Sequence, residues 1–266
     1  MYNAIFADNI NKELNFSLCN FLRPNAVAFI GGIVRYSKFS RIKVTINWDS
    51  VSDTIRMNLA QNGFIKSHIG EIESWEGNSV PYREDNLADF DEKAIIDHLL
   101  NNWLSFDRIN LSKKLKNDIV DVVLEVFINA KEHSETKVPI ISCGQYYPRL
   151  KELCITVIDF GIGIPENVRK YNNDKTIKAG NALKWAFALG ASTAKEAEGR
   201  GNGLNRLSNF IEFNEGKMFI FSHAGSAITT KSGTEFTNFK DKFFPGTIVS
   251  ITMKCSKDTF YSYSEE

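Results

Sequence analysis

Residues 112–134 read SKKLKNDIVDVVLEVFINAKEHS, and the architecture of everything downstream follows from this stretch. Apolar residues recur at Leu115, Ile119, Val122, Val123, Val126 and Ala130, the three- and four-residue steps of a helix with one buried face. Ser112 stands before the first turn as an N-cap. After the helix the period changes. Residues 138–147 and 151–159 read as strands about Tyr147-Pro148-Arg149-Leu150, the pattern of an antiparallel hairpin. Residues 179–190 and 202–213 read as helices, and 217–223, 226–230 and 246–254 as short strands. Helices mixed with antiparallel strands predict an α/β fold class: a two-layer α/β sandwich on a mixed, largely antiparallel sheet, not a doubly wound parallel one.

Upstream, residues 42–48 alternate apolar and polar as a half-buried strand. Residues 52–62 read as a helix with Ile55, Leu59 and Ala60 on one face, stopped by Gly63. The apolar run 26–34 fits a buried strand or a short core helix equally well. Residues 70–92 are polar and acidic, with Gly70, Gly77 and Pro81, and are expected to connect two units. From Asp91 a helical spacing begins with Ala94, Ile95, Leu99, Leu100 and Trp103. The expected organisation is a small α/β module over 1–90 and a larger domain over 91–266.

Lys+Arg and Asp+Glu both number 32, so the formal net charge is zero, and nucleic acid is not the expected partner. Cys19, Cys143, Cys154 and Cys255 show no C-x-x-C spacing, and read as small buried hydrophobes in a reducing compartment. The first residues lack the charge pattern of a signal peptide, and no run approaches the ~20 apolar residues of a membrane span. The expectation is a cytoplasmic protein with no membrane partner.

Four polar elements interrupt the apolar pattern. On the long helix, Glu125, Asn129 and either Glu132 or His133 fall on one face beside the apolar stripe. A carboxylate and an amide oxygen one turn apart suit a hard cation or its waters, and the carboxylate could orient a hydroxyl; a solvated helix flank has the same pattern. Next, Val157-Ile158-Asp159-Phe160-Gly161-Ile162-Gly163-Ile164 ends a strand in an Asp and breaks at two glycines. That arrangement suits close approach to a flat ligand, and also an ordinary turn. Gly199-Arg200-Gly201-Asn202-Gly203-Leu204 then precedes a helix, where free N–H groups could hold an anion. It fits neither the P-loop nor the dinucleotide fingerprint. Last, Gly246-Thr247 opens the final strand.

In this order, E-x-x-x-N-A-x-x-H-S, D-x-G-x-G-I, G-x-G-x-G-L and G-T-x-x-x-I, the chain over about 100–255 resembles the GHKL ATPases, the family of sensor histidine kinases, anti-sigma serine kinases, DNA gyrase and heat-shock chaperone ATPases. The kinase branches are the most similar. The resemblance implies a Bergerat-type sandwich that binds ATP with Mg²⁺. It gives Glu125 as the residue that activates the nucleophile and Asn129 as the Mg²⁺ ligand, with His133 beside the nucleotide. Asp159 would read adenine, flanked by Gly161, Gly163 and Ile164. Gly199, Arg200, Gly201, Asn202, Gly203 and Leu204 would face the phosphates, Thr247 the base, and residues 166–200 would form a mobile lid. It implies slow hydrolysis or phosphoryl transfer to a protein, or instead a nucleotide-gated interaction module without useful turnover. A protein partner is expected through 1–90 or the lid, and a homodimer is compatible. His98 lies on a candidate helix, but lacks the acidic neighbour that follows the phosphoacceptor of a sensor kinase.

Overall fold

The computed structural model describes residues 2–8, 10–75, 77–105, 108–188, 203–256 and 258–262. In chain order its first elements are α1 (Tyr2–Phe6), β1 (Lys12–Leu14), α2 (Pro24–Ser37), β2 (Val44–Ile46), α3 (Asp53–Gln61), α4 (Phe64–His68) and β3 (Ser79–Asp85). Then come α5 (Glu92–His98), β4 (Asn110–Leu111), α6 (Lys113–His133), β5 (Ile140–Tyr147), β6 (Glu152–Asp159), α7 (Gly163–Asn172) and α8 (Ala179–Ala186). The last are α9 (Gly203–Phe213), β7 (Lys217–His223), β8 (Gly225–Thr230), β9 (Gly233–Asn238), β10 (Phe244–Lys254) and β11 (Phe260–Tyr261).

The α6 helix is rich in β-branched residues, which lose rotamer freedom in a helix. Packing compensates. Ile119, Val123 and Phe127 are fully or nearly buried, and each large apolar side chain gains about 1.5–3 kcal/mol, more than its propensity cost. Ser112 Oγ accepts from the Leu115 N–H at 3.3 Å, so the expected cap is present.

The helix lies on a seven-stranded sheet of order β3-β5-β6-β10-β7-β8-β9, whose neighbouring strands are all antiparallel. The α/β sandwich class expected from the sequence is therefore the fold, with helices on both faces of the sheet and not in one layer. Parallel pairing occurs only between β1 and β2 and between β4 and β11, among the described residues. One face of the sheet, through Ile155, Val157, Val249 and Ile251, shares a core with α5, α6, α8 and α9. The other face, through Ile141, Ile158 and Phe160, shares a second core with α2, α3 and α4.

The undecided run 26–34 is helix. Pro24 opens α2, and Gly31 and Gly32 bring its backbone against the Tyr82 and Phe160 rings. Arg35 Nε, bonded to Glu84 at 2.8 Å, ties α2 to β3. The reading of 70–92 as a connection is corrected at 79–85, an edge strand paired with β5. Val80 and Tyr82 are buried there, and Pro81 falls where the register shifts, a place in a sheet that tolerates a missing N–H. β9 is a further strand that the polar run Gly233–Asn238 concealed.

Candidate functional site

Alternation along β6 places Asp159 on the same face as Ile155 and Val157, toward α6. In register beside it stands Thr247 of β10, and beside that Ser222 of β7. These three polar residues form a row across adjacent strands at the end of a largely apolar face. Asp159 is 7% exposed and Thr247 8%. Asp159 Oδ1 accepts from the Gly161 N–H at 2.9 Å. Burial pushes the Asp159 carboxyl up to about 7, against the opposing effect of N–H groups from Gly161 and Thr247 and the Thr247 hydroxyl.

The turn after Asp159 closes on the end of α6. Ile162 N–H donates to Ser134 O at 2.8 Å, and Asn167 Nδ2 donates to His133 O at 3.1 Å. A side chain on Gly161 would overlap the Ser134 backbone, so glycine is required for this contact. Gly163 has φ +73°, a left-handed conformation that disfavours any side chain. Ile164 packs on the core and donates its N–H to Ser222 Oγ at 3.1 Å. Ser222 Oγ in turn donates to Gly246 O at 2.8 Å and lies 3.2 Å from Thr247 Oγ1. One fully buried hydroxyl therefore binds the turn to both strands. Ser222→Ala is expected to lower stability by about 1–3 kcal/mol, because two buried backbone groups lose their partner. Chemical denaturation checks this, and an unchanged midpoint would show that the row is not held by Ser222.

Along α6, Glu125, Asn129 and His133 are half-buried and share one edge, as their spacing predicts. Glu125 and Asn129 make no side-chain hydrogen bond or ion pair among the described residues. Burial holds His133 below the usual histidine range, partly offset by the Glu132 carboxylate, so it is neutral at pH 7. The first residue of α9, Gly203, is buried against the Glu125 carboxylate. Leu204 packs on the same core, and Leu207 and Ile211 dock α9 beside α6. The fold thus brings Glu125, Asn129 and His133 into one line, with Gly203 and Leu204 at one end and Asp159, Gly161, Gly163, Ile164 and Thr247 at the other. Gly199, Arg200, Gly201 and Asn202 lie outside the described residues.

The reading of 166–200 as one lid is corrected over 166–188. Those residues belong largely to α7 and α8, with Val168, Ala182 and Leu183 buried. Gly180 N–H donates to Asn238 Oδ1 at 2.7 Å, which pins α8 to β9. Residues 189–200 of the expected lid lie outside the described residues. His98 is 5% exposed and is held down to about 4 by burial and the Arg83 guanidinium, so it is a neutral internal residue.

The first of the sequence motifs ends on Ser134 but gives it no role, and Ser222, His223 and Arg169 lie outside the motifs. Ser134 is 2% exposed, and its Oγ has no hydrogen-bond partner among the described residues. His223 Nε2 lies 2.7 Å from Ile162 O, a contact that needs the proton on Nε2, and Nδ1 then accepts from Arg169 at 3.2 Å. One signal for Ser222 existed: Met218, Ile220 and Ser222 alternate on the core side of β7.

No protein-family model matches the chain, and no curated protein matches it. No helix among the described residues is long and apolar enough to cross a membrane. No group of three or more His, Cys, Asp or Glu that could hold a metal ion occurs among them.

Proposed function

We propose that this protein binds Mg·ATP along the edge of α6 and acts on a regulatory partner by slow hydrolysis or phosphoryl transfer. One observation carries the reading. Two sites that the sequence separates by many residues meet the same helix at points nine residues apart, Ser134 beside the Asp159 turn and Glu125 beside α9. At 1.5 Å per residue this is about 14 Å, close to the span from the base to the terminal phosphate of an extended nucleoside triphosphate.

The base belongs at the Asp159 end. An ionised, buried Asp159 accepts a hydrogen bond from an exocyclic amine, and Thr247 lies beside it in register. The phosphates belong at the Glu125 end, where the first N–H groups of α9 lack partners within their own helix. Asn129 stands between these ends on the same edge. It and Glu125 offer oxygen donors with no partner among the described residues. That donor set fits Mg²⁺, which takes few protein ligands and completes its shell with phosphate and water. When bound, the ion neutralises charge on the phosphates. Glu125 orients the attacking hydroxyl or water, and His133, neutral, adds no charge to the line.

Calorimetry tests the binding. ATP with Mg²⁺ should bind, and GTP should bind at least about tenfold more weakly, because guanine presents an acceptor where Asp159 needs a donor. No heat with ATP at millimolar concentration would sink the proposal, and equal affinity for GTP would remove Asp159 as the base reader.

A further inference from the structure

We propose that Gly203 is a positioning residue for Glu125, and that its bare Cα fixes where the Glu125 carboxylate stands. The inference rests on the reading of Glu125 as the residue that orients the nucleophile. A β-carbon at position 203 would lie inside the carboxylate, overlapping its carbon and both oxygens. No left-handed backbone requires a glycine there: Gly203 opens α9 and its φ is not in the left-handed region, unlike that of Gly163. The closest steric contact is with Glu125: a side chain at 203 would push its carboxylate, the far end of a flexible side chain, out of the place it now fills.

Glu125 also has little else to hold it. Its side chain is half-exposed and makes no hydrogen bond or ion pair among the described residues. A glutamate on a helix edge ordinarily samples several rotamers. Here the start of α9, docked on the core through Leu207 and Ile211, closes over it and limits that freedom. A carboxylate moved by even about 1 Å loses its alignment with the reacting atom, an error that can cost on the order of 100-fold in rate.

The test is a double-mutant cycle read two ways. In nucleotide-free protein, Gly203→Ala should lower Tm more when Glu125 is present than in the Glu125→Ala background, where no carboxylate is displaced. In the steady state, Gly203→Ala should reduce kcat for ATP at least tenfold while KM stays within about threefold. An equal Tm change in both backgrounds overturns the contact. A larger Tm change with Glu125 present but an unchanged kcat overturns the positioning role. Absence of ATP binding by the wild type overturns the nucleotide reading itself, and the thermal arm still measures the contact.

Discussion

Glu125→Ala is expected to reduce ATP turnover by about 10²–10⁴-fold while leaving ATP affinity within a few-fold of wild type. The carboxylate is half-buried on the α6 edge, it makes no internal hydrogen bond or ion pair among the described residues, and it abuts the start of α9. On the proposed reading its removal takes away the group that orients the nucleophile and leaves the proposed base end, at Asp159 and Thr247, untouched. The effect therefore appears in kcat and not in KM. Single-turnover hydrolysis with calorimetry on both proteins measures it. If neither turns over ATP but both bind it, the protein is a nucleotide-gated interaction module and the enzymatic reading fails.

Asp159→Asn is expected to change stability and binding in opposite directions. The folded-state pKa of Asp159 is raised from 3.8 to about 7 by burial. Between those values the native protein holds a proton that the unfolded chain has released, so stability falls as pH rises through this window and is level above it. Asparagine cannot ionise. The variant should therefore match wild type near pH 4 and exceed it above pH 7 by an amount on the order of a few kcal/mol. Thermal unfolding at the two pH values reads this. Nucleotide binding should meanwhile weaken by about 10–100-fold, since an amide donor would face the amine donor of adenine.

The same carboxyl sets a pH dependence for the wild type. A ligand amine favours the ionised form, so ATP affinity should fall about tenfold for each pH unit below 7, and this slope should vanish in Asp159→Asn. An affinity independent of pH between 5 and 8 in the wild type would show that Asp159 is a turn residue whose carboxyl never meets the ligand.

Much of the fold is local and was legible. The α6 stripe, the β5–β6 hairpin and the β7, β8 and β10 segments each state their period within a dozen or so residues, and the structure keeps them near the expected bounds. The line Glu125, Asn129, His133 was legible for the same reason, because helical spacing alone puts those residues on one edge. The readings that needed correction lacked a local cue. An acidic edge strand with a proline does not look like a strand, and Val80 and Tyr82 become apolar anchors only when β5 is alongside. The run 26–34 has no period that separates helix from strand until the Tyr82 and Phe160 rings press on Gly31 and Gly32.

The sequence by itself determined the class of fold, the polar edge of α6 and the turn that follows Asp159, because each depends on neighbours in the chain. Tertiary structure alone decided that Thr247 and Ser222 stand in a row with Asp159, since strand register joins residues far apart in sequence. It also decided that the Asp159 carboxyl is buried enough to hold a proton near neutrality, and that Gly203 lies against Glu125. Burial and close approach are properties of the packed molecule, and no window of sequence contains them.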